Sequence, residues 1–187
     1  MHRYVLIGQT GVGKSSFVNG VFGAAIARTS HYEPCTKIVE HYARGTSWGD
    51  ICMVDTPGLS EDDRNTDIFY LTMVRDYLKK VDAHRAIYVT RLTENRFRPD
   101  EKRALQMITE VLGRSTWVHA WLLLTFAGSV PRQKLAESSQ TRIAAVRGYI
   151  GDLLESDAFD FSRIVMIDNV VQNWFAGAPP IGSLLTS

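Results

Sequence analysis

The sequence is poor in three features that would each point to a particular class of protein: cysteine, net charge and long apolar runs. Its two cysteines, Cys35 and Cys52, lie far apart and form no C-x-x-C pair, which favours reduced thiols in a cytosolic protein. The formal net charge of +1 gives no general attraction to nucleic acid or to an anionic membrane. The longest uncharged apolar run, residues 118–130, is too short to span a bilayer.

Signals of processing and of multidomain organisation are also missing. The chain enters its first predicted strand almost at once, so we expect no signal peptide, and membrane association would need segments outside this sequence. We find no internal repeat, low-complexity tract or domain-breaking linker. With 187 residues, of which 45% are hydrophobic, residues 1–187 are predicted to form a single domain with a full core.

The most informative stretch of the chain is residues 8–15, Gly-Gln-Thr-Gly-Val-Gly-Lys-Ser, which fits the phosphate-binding pattern G-x-x-x-x-G-K-[S/T]. A short apolar strand precedes it and a predicted helix follows, which is the context that the motif needs. Its glycines allow several backbone N–H groups to converge at a helix N-terminus, where the helix dipole also favours an anion. The alternative, a glycine-rich turn without a ligand, would not require this register of strand, loop and helix.

The residue types in this P-loop predict its ligands. Lys14 supplies a positive charge for the β- and γ-phosphates, and the Ser15 hydroxyl is a ligand for Mg²⁺. The predicted nucleotide contacts are the residues of the loop and of the helix start: Gly11, Val12, Gly13, Lys14, Ser15 and Ser16.

A second phosphate motif, Asp55-Thr56-Pro57-Gly58, follows an apolar strand. Asp55 stands at the carboxyl end of that strand, where it can hold a Mg²⁺-bound water. Gly58 allows its N–H to approach a γ-phosphate closely, so this loop would report whether that phosphate is present. A surface turn is the alternative, since Pro and Gly are turn formers, but the position directly after a strand favours the motif.

Between the two motifs lies a polar, turn-rich segment that contains Thr36. Thr36 is predicted to complete the Mg²⁺ shell when a triphosphate is bound, with Thr29 and Ser30 as rivals. The predicted metal ligands are therefore Ser15, Thr36 and Asp55, and the predicted catalytic groups within this set of motifs are Lys14, Thr36 and Gly58.

Strand and helix patterns alternate along the chain, which predicts a three-layer α/β fold with a mainly parallel sheet. A hairpin-like turn at 45–49 suggests one antiparallel edge strand. The first helix is predicted to end at Gly23, and a later one to begin at Pro99 and stop at Gly113. The predicted strands after the P-loop are 38–43, 51–54, 85–90, 117–125 and 164–167, and residues 60–66 are predicted to be a loop.

Together the P-loop, Asp55-Thr56-Pro57-Gly58 and Thr36 indicate a GTPase of the translation-factor-like class. The stretch G-Q-T-G-V-G-K-S-S-F-V-N-G-V-F-G resembles the P-loop and first helix of the paraseptin GTPases. This branch comprises the immune-associated (AIG-type) GTPases and the TOC receptor GTPases of the chloroplast envelope. C-T-K-I-V-E resembles the AIG-type switch segment. Tyr88-Val89-Thr90-Arg91-Leu92, followed by Arg96, is similar to the TOC pattern Y-V-D-R-L with a second arginine.

The chain departs from most GTPases where they read guanine with N-K-x-D. Its corresponding strand ends Leu124-Thr125-Phe126-Ala127-Gly128, so the lysine position holds Phe126 and the aspartate position holds Gly128. Both branches of the resembled family also depart from N-K-x-D, and TOC members carry T-H here. Phe126 is predicted to stack on the base as such a ring would, with a strand-end core phenylalanine as an equal alternative.

A carboxylate does occur at the next strand end, in Asp168-Asn169. TOC receptors have a similar I-E-N whose acidic residue faces the guanine edge. The resemblance therefore implies that Asp168 reads guanine, with Asn169 beside the ring. The alternative is that Asp168 only caps a turn.

The catalytic position is unusual as well, because Leu59 and Ser60 follow Gly58 where a water-orienting glutamine often stands. Leucine cannot hydrogen-bond water, so unaided hydrolysis is expected to be slow. The resemblance implies that Arg96 acts across a nucleotide-dependent dimer as a catalytic residue in trans. The alternative is a solvated basic turn, since Arg91, Arg96 and Arg98 crowd one loop.

The sequence thus predicts a small-GTPase-like G domain that binds GTP and GDP with Mg²⁺, hydrolyses GTP slowly and acts as a dimerising switch. The expected partner is a second copy or a related G domain, with no nucleic acid. The expected location is cytoplasmic, with the cytosolic face of an organelle outer membrane if the protein is TOC-like. Two alternatives stay open, a GTP-binding scaffold with vestigial hydrolysis and a P-loop ATPase.

Overall fold

The computed structural model describes residues 2–23, 25–27, 38–46, 49–59, 63–81, 85–94 and 96–168. The predicted ligands Thr36 and Asn169 lie outside the described residues, as do Thr29 and Ser30.

The described chain alternates between strands and helices. Its strands are β1 (His2–Ile7), β2 (Glu40–Thr46), β3 (Gly49–Asp55), β4 (Arg85–Arg91), β5 (Trp121–Thr125) and β6 (Arg163–Met166). Its α-helices are α1 (Lys14–Phe22), α2 (Arg64–Leu78), α3 (Pro99–Leu112) and α4 (Arg132–Leu154), and single 3₁₀ turns cover Arg114–Trp117 and Ala127–Ser129.

The strands form one six-stranded sheet in the order β2-β3-β1-β4-β5-β6. Every neighbouring pair is parallel except β2 and β3, whose antiparallel register pairs Thr46 with Gly49. The predicted mainly parallel sheet with one antiparallel edge strand is confirmed. Because β1, β3, β4, β5 and β6 run in the same direction, their carboxyl ends share one edge, where α/β folds bind ligands.

The sheet is covered on both faces, as its alternating side chains require. On β1, Val5 and Ile7 belong to one buried apolar cluster and Tyr4 and Leu6 to another. The first cluster contains apolar residues of α2, α3 and α4, and the second contains those of α1. Three layers result, with α1 on one face of the sheet and the other helices on the opposite face.

Helix ends with strong local signals are where the sequence places them. Gly23 follows α1 with a φ of +64°, in the left-handed region that favours glycine. Pro99 begins α3 and Gly113 follows its last residue.

Several predicted boundaries are wrong. The strands predicted over 38–43 and 51–54 cover Glu40–Thr46 and Gly49–Asp55 instead. The strand predicted over 117–125 begins only at Trp121, because a 3₁₀ turn precedes it and the buried Trp117 indole donates to Thr109 Oγ1 at 2.9 Å. The loop predicted over 60–66 already contains the start of α2, since the Asp63 carboxylate accepts from the backbone N–H of Thr66 and caps the helix.

Candidate nucleotide site at the carboxyl edge of the sheet

The P-loop connects the carboxyl end of β1 to α1 through glycines in special conformations. Gly11 has a φ of +74° and Gly13 one of +96°, a region that side chains disfavour. A Cβ on Gly8 would come within 2.4 Å of the Val89 carbonyl oxygen, so the loop approaches β4 too closely for any other residue. The backbone N–H groups of the first turn of α1 are thereby left at the edge of the sheet, as the motif predicts.

Lys14 is the buried charge of this loop, with 6% of its surface exposed. Its Nζ donates to the carbonyl oxygens of Gly8 at 3.1 Å and Gln9 at 2.8 Å. Burial lowers the pKa of Lys14 from 10.5 to about 8, against the opposing effect of the Asp55 carboxylate. The ammonium group is thus held inside the loop, where a bound phosphate would meet it.

Ser15 and Asp55 are brought together although they belong to different motifs. The Ser15 hydroxyl donates to Asp55 Oδ2 at 2.6 Å, and Asp55 is fully buried at the end of β3. A hydroxyl and a carboxylate are oxygen donors of the kind that Mg²⁺ prefers. Among the described residues no group of three or more His, Cys, Asp or Glu side chains could hold a metal ion. A cation at this point would bind these two oxygens, and water, phosphate and the predicted ligand Thr36, which lies outside the described residues, would complete its shell.

The second motif is attached directly to the P-loop. Thr10 N–H donates to the Leu59 carbonyl at 2.9 Å, and Leu59 N–H donates to the Gly8 carbonyl at 3.2 Å. A Cβ on Gly58 would lie 2.5 Å from Thr10 Cα, so only glycine permits this contact. Leu59 itself is 3% exposed and packs in the core beside α2 and α3. Its side chain is therefore part of the core, and Gly58 is the residue that faces the P-loop.

Phe126 follows β5 and stands apart from the core. It has a φ of +58°, is half-buried, and belongs to neither apolar cluster. Among the described residues this placement favours a surface ring over a strand-end core phenylalanine, and stacking on the base stays a prediction. The Arg91 guanidinium carbon lies 4.8 Å from the centre of its ring, so a cation covers part of the aromatic surface.

The Asp168 side chain lies directly against Gly128. A Cβ on Gly128 would lie 2.0 Å from Asp168 Oδ2, so the carboxylate fills the volume in which a side chain of residue 128 would begin. Backbone bonds hold the two strand ends together, from Ala127 N–H to the Ile167 carbonyl at 2.9 Å and from Ile167 N–H to the Leu124 carbonyl at 2.8 Å. A carboxylate thus lies beside the residue that takes the aspartate position of N-K-x-D, although it comes from the end of the neighbouring strand.

The prediction that Arg91 shares an exposed loop with Arg96 and Arg98 is wrong, because Arg91 is the half-buried last residue of β4. Its Nη2 and Nε donate to the Gly11 carbonyl at 2.7 and 3.2 Å, which joins the end of β4 to the P-loop. The Thr125 hydroxyl makes a parallel link to the Val12 carbonyl at 2.8 Å. The signal was available in part, because an arginine that ends a strand at the ligand-binding edge stands close to both motifs.

Arg96 is exposed in the loop between β4 and α3, as predicted. That loop is tied to the P-loop at both ends. Arg91 bonds to Gly11 at its start, and Asp100 Oδ2 accepts from Gln9 Nε2 at 2.8 Å at its end. Arg96 therefore lies at the edge of the sheet that carries the P-loop, here called the nucleotide edge.

Behind this edge, a buried polar network joins β4, α3 and α4. Arg142 Nη2 donates to both oxygens of Glu101, at 2.6 and 2.5 Å, and to Thr90 Oγ1. Tyr88 donates to Glu101 Oε1 at 3.0 Å. Burial, followed by the nearby Glu101 carboxylate, raises the pKa of Tyr88 well above its ordinary value, so the phenol remains a donor. The network fixes the strand end that carries Arg91.

The AIG1 family model matches residues 2–147 of the chain. Translocase of chloroplast 90 from Arabidopsis thaliana is 29% identical over 176 residues, which are 89% of this chain and 22% of that protein. GTP-binding protein A from Dictyostelium discoideum is 35% identical over 127 residues, which are 67% of this chain and 28% of that protein. The chain thus spans about a quarter of the length of these two relatives.

Among solved structures, Toc33 from Arabidopsis thaliana in complex with GDP and Mg²⁺ has a TM-score of 0.81 at 23% identity, covering 99% of this chain and 81% of that one. A further structure, of the chloroplast translocon components atToc33 and psToc159, for whose GTPase activity dimerization is important, has a TM-score of 0.75 at 21% identity and covers 98% of this chain and 80% of that one. At these identities the likeness establishes the shared fold.

Of the helices that the structure describes, none has the length and apolar character needed to cross a membrane.

Proposed function

The chain belongs to the AIG1 family, and we propose that it is a G domain that binds GTP and GDP with Mg²⁺ and hydrolyses GTP slowly. The observation that carries this proposal is the 2.6 Å contact between Ser15 and Asp55. It places the predicted metal ligands of two separate motifs side by side, next to the buried Lys14. Mg²⁺, when bound, would neutralise charge on the β- and γ-phosphates.

In this proposal the P-loop holds the phosphates. Gly11, Val12 and Gly13 offer backbone N–H groups, as do Lys14, Ser15 and Ser16 at the N-terminus of α1. Ser15, Asp55 and Thr36 are the proposed metal ligands, and Thr36 is proposed from its place in the sequence alone. Gly58 would bring its N–H to a γ-phosphate.

The proposed guanine reader is Asp168, supported by its position over Gly128. A carboxylate can accept from both N1–H and N2–H₂ of guanine, whereas adenine offers no such pair of donors. Phe126, whose ring is half-buried, is the proposed platform for the base, and Asn169 is proposed beside it from the sequence. A P-loop ATPase would need no carboxylate at this place.

Slow hydrolysis follows from the position of Leu59. Since its side chain lies in the core and its backbone bonds to the P-loop, the Leu59 side chain is not available to orient a water. The same observation favours a second candidate function, a GTP-binding scaffold whose hydrolysis is vestigial. Single-turnover hydrolysis at high and low protein concentration separates the two, because a scaffold shows no turnover at either.

We further propose that the domain dimerises with a second copy or a related G domain, and that Arg96 acts across the dimer. Its exposure at the nucleotide edge supports this role, as does the importance of dimerization for GTPase activity in the related translocon components. The proposed location is the cytoplasm or the cytosolic face of an organelle membrane.

The proposed site is tested by measuring GTP and GDP affinity in Lys14→Ala and Ser15→Ala, with and without Mg²⁺, and with ATP as competitor. Both variants should lose most of their nucleotide affinity while their unfolding curves remain cooperative. In Ser15→Ala the loss should be larger with Mg²⁺ present. Lys134→Ala removes an exposed lysine of α4 and serves as the control. Unchanged affinity in both site variants would contradict the proposed site, and preference for ATP would favour the ATPase.

A further inference from the structure

We propose that Arg91 positions the nucleobase platform, by holding the Phe126 ring against the P-loop. This inference rests on the proposed function, because it assigns a role at the guanine end of the same site. It concerns a residue that touches the loop backbone and the aromatic ring, and that would act on the base through Phe126.

Two contacts of one guanidinium group carry the inference. Its nitrogens donate to the Gly11 carbonyl at 2.7 and 3.2 Å, and its carbon lies 4.8 Å from the Phe126 ring centre. A planar guanidinium can donate at its edge and stack through its face at the same time, which a lysine ammonium cannot do. Arg91 therefore joins the phosphate end of the site to the base end.

Both partners of Arg91 are in restricted conformations. Gly11 has a φ of +74°, and a Cβ there would come within 3.2 Å of Arg91 Nη2, so a side chain would press on the guanidinium. Phe126 has a φ of +58°, which is uncommon for a residue with a Cβ, and its backbone is placed by the strand ends of β5 and β6. Arg91 packs on the face of its ring, so the guanidinium group restricts the angles that the ring can take.

The conformation of the P-loop depends less on Arg91 than the orientation of the Phe126 ring does. Other bonds also hold that loop, among them those from Thr125 Oγ1 to Val12, from Thr10 N–H to Leu59 and from Lys14 Nζ to Gly8. Phe126, outside both apolar clusters, has Arg91 as the cation over its ring. Loss of Arg91 should therefore disturb the base contact and leave the phosphate contacts in place.

This difference gives a readout that general destabilisation would not produce. Affinities for GMP, GDP and GTP are measured in Arg91→Met, Phe126→Leu, the double variant and Lys14→Ala. Arg91→Met should weaken all three nucleotides by a similar factor, about 2- to 30-fold for a cation–π contact of ordinary strength. Lys14→Ala should weaken GTP and GDP far more than GMP. Arg91→Lys should recover only part of the loss.

The double variant tests whether Arg91 acts through the ring. If it does, Arg91→Met should add little in the Phe126→Leu background, since the two changes share one interaction. Arg85→Met is the matched control, an exposed arginine at the opposite end of the same strand, and should bind all three nucleotides normally.

Three results would overturn the inference: no loss in Arg91→Met, a loss that grows with phosphate number, or full additivity with Phe126→Leu. The proposed function fails in a different way, namely by absence of guanine nucleotide binding in the unchanged protein.

Discussion

Lys14 shows how burial tunes a single residue for an anionic ligand. The loop that surrounds its ammonium group excludes water and lowers its pKa to about 8, while the carbonyls of Gly8 and Gln9 keep it in place. The charge is thus poorly compensated in the free protein, and a bound phosphate would stabilise it.

The burial of Lys14 also lowers the stability of the fold. Since the unfolded lysine has a pKa of 10.5, the unfolded chain binds more protons above about pH 8, and Lys14 makes the free energy of unfolding rise from there to about pH 10.5.

We therefore expect GDP affinity to be sensitive to pH. The part of the affinity that Lys14 supplies should be complete below about pH 8 and should fall above it, by up to about tenfold per pH unit. The dissociation constant is measured between about pH 7 and about pH 9 in the unchanged protein and in Lys14→Met. Titration of the guanine base affects both proteins equally, so parallel curves would contradict the assignment.

Gly128 has no side chain, and this leaves room for the Asp168 carboxylate. In Gly128→Ala the new Cβ would displace the Asp168 carboxylate, which is the movable end of a side chain, so the fold should survive. Preference for GTP over ATP should fall about tenfold or more, the value of a hydrogen bond from a neutral donor to a carboxylate. Asp168→Asn should show a similar loss, because an acceptor becomes a donor.

The matched control for that substitution is Gly148→Ala in α4, where a Cβ meets nothing within 4 Å. Competition of GTP and ATP for one site provides the measurement. Retained guanine preference in both Gly128→Ala and Asp168→Asn would place the reader elsewhere, for instance in backbone groups near residue 128.

At the scale of elements, α3 and α4 are held behind the nucleotide edge by the buried pair of Glu101 and Arg142, each 3% exposed in its side chain. Such a pair overcomes the cost of leaving water only through good geometry and further hydrogen bonds. Here Thr90 and Tyr88 donate those bonds to Glu101, whereas Nε and Nη1 of Arg142 are buried without a hydrogen-bond partner among the described residues. The pair therefore determines how β4 presents Arg91 more than it adds to stability.

Removing one member of this pair should be costly. Arg142→Met leaves the Glu101 carboxylate buried without its cation, and we expect the free energy of unfolding to fall by about 3–5 kcal/mol. Arg114→Met breaks an exposed pair with Glu155, which should be worth less than about 1 kcal/mol. Urea unfolding measures both. An equal effect of the two substitutions would contradict the importance of the buried network.

The sequence predicted elements well wherever a local signal ends them. Pro99 begins α3, and Gly23 and Gly113 end α1 and α3, through backbone geometry that belongs to the residue itself. The start of β5 was misplaced because the burial of Trp117, with its bond to Thr109, depends on a contact with α3. The early start of α2 depends on the Asp63 cap, which a charged segment hides among similar residues.

For the whole molecule, the motifs predicted the fold, and the structure adds what only tertiary contact can supply. Lys14, Ser15 and Asp55 meet as their motifs imply. The attachment of Leu59 to the P-loop, the space shared by Gly128 and Asp168, and the link through Arg91 join residues far apart in the chain. Local sequence patterns do not specify these contacts, although they do place Arg91 and Asp168 near strand ends at the ligand-binding edge. The roles of Thr36 and Asn169 stay predictions.

The arrangement of the whole domain also bears on dimerisation. Arg96 is exposed, and its loop is fastened to the P-loop through Arg91 on one side and Asp100 on the other. If a second copy binds against this edge, Arg96 of the first copy would therefore lie near the phosphates bound in the second copy. The Leu59 side chain cannot orient water, which supports the proposal that a charge supplied in trans assists hydrolysis.

We expect hydrolysis per molecule to rise with protein concentration. A trans arginine accelerates related phosphoryl transfers by about 10³–10⁵-fold, and we expect the low end or less, because an arginine supplies charge but orients no water. Arg96→Ala should flatten the rise or weaken the GTP-state dimer in sedimentation. Arg98→Ala, in the same loop but paired with Asp100, should retain most of the concentration dependence and is the matched control. A rate independent of concentration, without a dimer in GTP or a transition-state mimic, would make Arg96 an ordinary surface charge.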